Sequence, residues 1–215
     1  MTRSARAFLR CSLLFPLVLL LFTAVGCNSS SRAKASSTDP ANHIDVMCIG
    51  DKIENPPAPF LYSFKYSDST NSVAKEADIT PQNMDITIHD KSGTHSFHGT
   101  RSDEASWNSA VIDLSNLSIT AMAARLDALN GSSSIANHGQ ETTNGYNATK
   151  IAIDTASANS SDKQKYLVLF GPGSFEKGTV WMGEDGCVVK LLLDEGVSQN
   201  RGVETRHYEL AMSKK

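Results

Sequence analysis

MDITIHDKSGTHSFHGTRSDEASWNSAVIDL, residues 84–114, contains the change of period on which the fold turns. Met84, Ile86 and Ile88 alternate with Asp85, Thr87 and His89, which predicts a half-buried strand. Lys91-Ser92-Gly93 is a turn signal, and residues 94–100 pair back as the second arm of a hairpin. Beyond Gly99 the period lengthens. Thr100-Arg101-Ser102-Asp103 has the form of a capping box, with Asp103 and Glu104 placed to favour the positive end of a helix. Trp107, Val111 and Leu114 follow at helical spacing. Ile119, Met122, Leu126 and Leu129 then predict a second helix, and Asn130-Gly131 ends it because both residues tolerate a left-handed backbone.

Strand signals surround this helical centre. Upstream, Pro56-Pro57-Ala58-Pro59 closes an irregular leading segment, residues 60–67 put Tyr62, Phe64 and Tyr66 on one face, and residues 72–79 are a weaker strand. Downstream, residues 134–142 and 145–154 read as strands, the second with Ile151 and Ile153 on one face. The short apolar run KYLVLF, residues 165–170, predicts a fully covered strand. Residues 178–182 and 187–194 flank Gly183-Glu184-Asp185-Gly186 as a hairpin. In the second of these strands Cys187, Val189, Leu191 and Leu193 share a face with Lys190 opposite. Tyr208, Leu210 and Met212 mark the last strand. About nine antiparallel strands flanking two helices make an α+β fold rather than a βαβ repeat. The curved antiparallel sheet has a face to cover, and the two central helices are the elements long enough to cover it.

The first segment reads as an address. Arg3, Arg6 and Arg10 lie in the first ten residues, no acid precedes Asp39, and residues 11–24 (CSLLFPLVLLLFTA) are apolar. These are the parts of a signal peptide over 1–26, with an uncleaved anchor as the alternative. A spanning helix needs about 20 apolar residues, more than this run offers, and Pro16 interrupts it. Ala24-Val25-Gly26-Cys27 resembles the lipobox of bacterial lipoproteins, with Ala24 where Leu is commonest. The resemblance implies that the Cys27 thiol takes a diacylglyceryl group and that the freed amine is acylated, for instance with palmitate. Asn28, in place of the Asp that marks inner-membrane retention in that family, implies an outer-membrane destination where the cell has one. Small residues at 24 and 26 also suit an ordinary signal peptidase, which leaves a secreted protein as the alternative. Residues 27–40 are Ser-rich and polar, a flexible tether. Residues 41–215 then form a single domain.

Charge and cysteine content narrow the class. The chain carries 20 Lys+Arg and 23 Asp+Glu; removing the three leading arginines leaves 17 basic residues against 23 acidic, net −6. That excludes a nucleic-acid binder built on a basic face. Lipidation of Cys27 leaves Cys48 and Cys187 as an even pair, and in an exported protein a disulfide between them is the default, with two buried thiols as the alternative.

Asn144-Gly-Tyr-Asn-Ala-Thr-Lys-Ile-Ala-Ile-Asp154, Lys177-Gly-Thr-Val-Trp-Met182 and Asp185-Gly-Cys-Val-Val-Lys190 resemble strands of the lipoprotein-carrier superfamily, which includes the LolA and LolB localisation factors and mycobacterial lipid-binding lipoproteins. Cys187 and Val188 stand where a Pro is common, and the resemblance covers residues 140–212. It implies a half-open antiparallel barrel wrapped over helices, with an apolar cavity for acyl chains.

No catalytic signature accompanies this pattern: there is no Gly-x-Ser-x-Gly, His-Glu-x-x-His or Walker loop, and Gly171-Pro172-Gly173 lacks the Gly-Lys-Ser/Thr ending of a phosphate loop. His89, His95 and His98 cluster, but His95 and His98 point to opposite faces of a strand and read as solvated. The acids are scattered. The expectation is a non-catalytic protein of the cell envelope, without cofactor or metal, held to a membrane by its lipid anchor and binding a lipid or other apolar ligand. Trp107, Met122, Leu126, Tyr166, Phe170 and Trp181 are the candidate cavity wall. The alternative is an interaction lipoprotein in which the same residues fill a core.

Overall fold

A computed structural model of the protein describes residues 43–114, 117–200 and 202–215. The signal segment 1–26, Cys27 and the tether to residue 40 lie outside the described residues. All described residues belong to one compact unit.

The chain begins with α1 (Cys48–Glu54) and continues through β1 (Phe60–Ser67), β2 (Ser72–Ile79), β3 (Asn83–Asp90) and β4 (Gly93–Thr100). Next come α2 (Glu104–Leu114), α3 (Leu117–Asp127), β5 (Ile135–Thr143) and β6 (Tyr146–Asp154). The chain closes with α4 (Ser160–Phe170), β7 (Phe175–Gly183), β8 (Val188–Gln199) and β9 (Gly202–Lys214). The nine strands make one curved, open sheet in the order β4-β3-β2-β1-β9-β8-β7-β6-β5, antiparallel throughout. The central pair β8–β9 joins the C-terminal half of the chain, and β1–β9 stitches it to the N-terminal half.

The inner face of the sheet carries Tyr62, Phe64, Met84, Ile86, Ile151, Val180, Leu191, Leu193, Leu210 and Met212. Trp107, Ala110 and Leu114 of α2, Met122 and Leu126 of α3, and Ile49 and Ile53 of α1 complete the same buried cluster. Period-2 alternation on the strands and helical spacing on α2 and α3 therefore point at one core. At Gly99 the sheet comes so close to α2 that an added Cβ would lie 2.7 Å from the Ala110 Cβ. Asn144 (φ 52°) and Gly145 (φ 79°) make the two-residue turn between β5 and β6, whose strand twist requires φ > 0 at both positions.

Four features differ from the sequence reading. Residues 165–170 belong to helix α4, not to a covered strand. The Asn159 side chain accepts from the Asp162 N–H at 3.0 Å and caps the helix, and the Gly171 N–H returns to Leu167 O at 2.9 Å. The apolar run winds round this helix instead of alternating: Tyr166 is buried, whereas Val168 and Leu169 are 72% and 65% exposed. The cap of α2 is Asp103, whose carboxylate accepts from the Ala105 and Ser106 N–H groups at 3.1 and 3.3 Å, while Thr100 turns to Ser102.

The third difference is a β-bulge. Trp181 pairs with Lys190 but Met182 pairs with Val188, so Val189 is the extra residue. Val188 consequently enters the main core, and Val189 joins Ala148 and Trp181 in a separate cluster. The fourth is α1, which forms inside the leading segment. Its entry is fixed by the Asn130 side chain, whose Oδ1 accepts from the Ile44 N–H at 2.8 Å. A Cys48–Cys187 disulfide then ties α1 to the start of β8, with Cα atoms 5.7 Å apart.

Candidate functional site

The inner face of β7 and β8 places charges where a core would have apolar residues. Glu195 follows Leu191 and Leu193 at alternate positions, and Glu176 precedes Val180 and Met182 in the same way. Arg125 of α3 lies three residues beyond Met122 and reaches the same place. Its Nε–H points at Glu176 Oε1 (2.5 Å) and Glu195 Oε1 (2.6 Å), and its Nη2 donates to Gly196 O at 2.9 Å. The Tyr166 hydroxyl donates to Glu176 Oε1 at 2.6 Å, and the Tyr208 hydroxyl to Glu195 Oε2 at 2.7 Å. The Phe170 ring lies 4.6 Å from the Arg125 guanidinium carbon. Arg206 approaches Glu195 from the rim, at 3.7 Å.

This network pins α3 and α4 to the sheet. Its inner members are dry: the side chains of Glu176, Glu195 and Arg125 are 0%, 1% and 9% exposed. Burial pushes the Glu176 carboxyl up to about 7, and Glu195 adds to that; the Tyr166 hydroxyl and Arg125 work against it. Burial opposes the Arg125 charge, but Glu176 and Glu195 outweigh it and hold the guanidinium above its usual range. Burial and the neighbouring carboxylates raise both Tyr166 and Tyr208, so each stays a donor. Glu176 Oε2 is buried without a hydrogen-bond partner. A neutral Glu176 suits that position, because the three inner groups carry one guanidinium against two carboxyls.

Beside the network, α4 roofs a cavity of about 350 Å³. Tyr166 and Leu167 of α4, Phe175, Ser174, Ala156 and the buried Thr155 line it, with the exposed Lys163 at its edge. The hydroxyls in the wall are already engaged. Thr155 Oγ1 bonds the backbone of Glu176, and Ser174 Oγ donates to Phe170 O at 2.7 Å. No carboxylate among the described residues lies within ion-pair distance of Lys163. The cavity is thus apolar inside with one cation at its edge. Two depressions of about 390 Å³ each lie elsewhere, one on the outer face around Ser63, Ala211 and Asp78, the other by the β2 and β3 ends at Tyr66 and Asn71. Both are more open to solvent; the first lies away from the buried network, whereas Tyr66 of the second packs on Tyr208 with ring centroids 5.3 Å apart.

Of the six residues proposed for a cavity wall, Tyr166 borders the cavity under α4. Phe170 is half-buried and stacks on Tyr166 with ring centroids 4.8 Å apart. Trp107, Met122 and Leu126 are packed in the main core, at 2%, 1% and 0% exposure, and border none of these three cavities. Trp181 faces the other way, in the small outer cluster with Ala148 and Val189. The hairpin β3–β4 does not gather its histidines: His98 pairs with Asp85 at 2.7 Å, His89 with Thr94 at 2.9 Å and His95 with Ser92 at 2.7 Å. Among the described residues no three His, Cys, Asp or Glu side chains group as metal ligands.

No protein-family model matches the chain, and no curated protein matches it. Among solved structures it is similar to MucB at 11% identity, over 78% of this chain and 57% of that one, with a TM-score of 0.33. It is similar to the Mycobacterium tuberculosis lipoprotein LppX at 12% identity, over 77% of this chain and 91% of that one, with a TM-score of 0.34. The complex of MucB with MucA(peri) matches at 11% identity over 78% of this chain and 53% of that one, with a TM-score of 0.32. The chain spans little more than half the length of MucB.

Proposed function

We propose that this protein is a lipoprotein of the bacterial cell envelope, anchored through Cys27, that binds an apolar ligand without catalysis in the cavity under α4. The cavity carries this reading: its size falls in the range of small-ligand sites, its walls are apolar, and its hydroxyls are spent on the protein's own backbone. Glu176 and Arg125 support the site from behind. They fix Tyr166, and with it the roof helix, and have no open approach for chemistry on a substrate. Among the described residues no helix is long and apolar enough to cross a membrane, so the proposed attachment rests on the N-terminal lipid.

The exported, full mature chain is the material for the test. Native mass spectrometry followed by organic extraction gives a bound lipid or other apolar compound, and Leu167→Trp, which fills the cavity, removes it while the melting temperature holds. A chain that emerges without bound compound, and takes none from added vesicles, contradicts ligand binding.

Packing at the centre favours a second reading, an interaction protein. Trp107, Met122 and Leu126 fill the space between helices and sheet, while Val168 and Leu169 on α4 and Ile112 on α2 (69% exposed) present apolar side chains to solvent. Under this reading partner capture survives Leu167→Trp and is lost on Val168→Asp/Leu169→Asp.

A further inference from the structure

The outer face of the sheet has a patch with a different composition from the rest of this acidic chain. Trp181 sits there with Ala148 and Val189, and Tyr146 packs against the same cluster. Four lysines stand around the two rings. Lys190 Nζ is 4.5 Å and Lys150 Nζ 5.5 Å from the Trp181 ring centre; Lys214 Nζ is 4.7 Å and Lys52 Nζ 5.9 Å from that of Tyr146. Three acids adjoin them. Asp185 pairs with Lys52 at 2.6 Å, Glu141 pairs with Lys150 at 3.5 Å and accepts from the Trp181 indole, and Glu184 accepts from Asn147 at 3.2 Å. Among the described residues Lys190 and Lys214 have no carboxylate in ion-pair range.

The chain enters the domain at the border of this patch. Asp45 bridges to Cys187, Cys48 is bonded to Cys187, and Asp185, which accepts from the Cys187 N–H, holds Lys52. The point of entry is therefore fixed, covalently, beside the lysines. Cys27 lies 16 positions before His43, the first described residue (43 − 27). A chain of that length spans at most about 55 Å and keeps whatever it is anchored to at an effective concentration near millimolar. Weak attraction is then enough to orient the domain.

We propose that this lysine–aromatic patch is the surface the domain lays against an anionic bilayer, with Lys190 and Lys214 meeting lipid phosphates and the cavity under α4 left facing away from the contact. The inference rests on the envelope reading above but not on the cavity having a ligand. The four lysines exceed the three adjoining acids by one charge (4 − 3), and their aliphatic stems together with the two rings supply an amphipathic face suited to the headgroup region. Each lysine near an anionic surface favours contact about fivefold, so the one charge in excess favours it by about that factor.

The test is a lysine-acetylation footprint of the full mature chain, read by mass spectrometry, on phosphatidylcholine vesicles and on vesicles containing phosphatidylglycerol, each at millimolar lipid. The intact mass of the chain reports acylation of Cys27 separately, and at that lipid concentration a chain without acyl groups still samples the surface. The expected result is slowing of Lys190 and Lys214 by about fivefold or more on the anionic vesicles only, unchanged reaction at Lys163 and Lys165, and loss of the effect in Lys190→Glu/Lys214→Glu and at high salt. Equal reactivity on both vesicles overturns the inference and assigns the patch to a protein partner or to solvent. Equal protection on both also overturns it, because the contact would then not be electrostatic.

Discussion

Replacing Glu176 by Gln tests whether the buried network holds a carboxyl out of its usual range. Glu176 stands at about 7 in the folded protein against 4.5 for an ordinary Glu, chiefly because it is buried. Below about pH 4.5 the group is protonated in both the folded and unfolded chain and has no effect on stability with pH. Between 4.5 and 7 the unfolded chain loses this proton and the folded chain keeps it, so stability falls as pH rises. At 1.36 kcal/mol per unit, the loss is about 3 kcal/mol, complete by about pH 8. Glutamine resembles the protonated acid in shape, keeps an acceptor for Arg125 and Tyr166, and does not titrate. Urea unfolding of both proteins at pH 5, 6, 7 and 8 reads the difference. Glu176→Gln lies within about 1 kcal/mol of the parent at pH 5 and gains on it as pH rises, towards about 3 kcal/mol at pH 8. All other titratable groups are common to both proteins and cancel in the difference. The carboxylates held low by hydrogen bonds, such as Asp154 and Asp162, change at more acidic pH. Parallel pH profiles for the two proteins would refute the reasoning and place Glu176 in contact with water.

Three further outcomes follow from the same geometry. Arg125→Met leaves Glu176 and Glu195 without their common donor and costs about 3–5 kcal/mol, more at pH 8 than at pH 5 because Glu176 can escape by protonation; chemical unfolding at both pH values checks it. Cys48→Ala/Cys187→Ala opens a loop closed across 139 positions and lowers stability by about 2–5 kcal/mol; it also exposes α1 to proteolysis ahead of the sheet, readable by limited digestion. Gly99→Ala places a methyl against Ala110 and the Ser106 carbonyl and costs about 1–3 kcal/mol, seen as a lower melting temperature with the same far-ultraviolet spectrum.

The element order was legible because each signal was periodic and local. Residues 60–67 and 72–79 are strands with those bounds, and the shift to helical spacing after Gly99 marks α2 and α3. Cys48 and Cys187 pair as their compartment and number suggested. KYLVLF misled because a four-residue apolar core fits either period. The deciding information lay six residues upstream of Lys165, in the Asn159 cap and the Asp162 it holds. The bulge at Val189 was invisible because an inserted residue leaves the alternation intact on each side and changes only which face it belongs to.

The buried network left a trace that composition alone does not show. Glu195 and Glu176 occupy positions whose alternate neighbours are core residues, and Arg125 stands between Met122 and Leu126 on the buried side of α3. A charge at an inward position of a strand needs a partner from the covering layer, and Arg125 is that partner. Trp181 sits among lysines on the outer face because it alternates with the inward Val180 and Met182 along β7, a consequence of its place in the strand and not of residue type.

The central claim is that an apolar ligand occupies the space under α4. A photoactivatable diazirine fatty acid, incubated with the full mature chain and mapped by peptide mass spectrometry, tests it most directly. Crosslinks on Leu167 and Phe175, suppressed by Leu167→Trp, are the predicted result. Crosslinks on Met122 or Leu126 in their place, or none above an unrelated control protein, would contradict it.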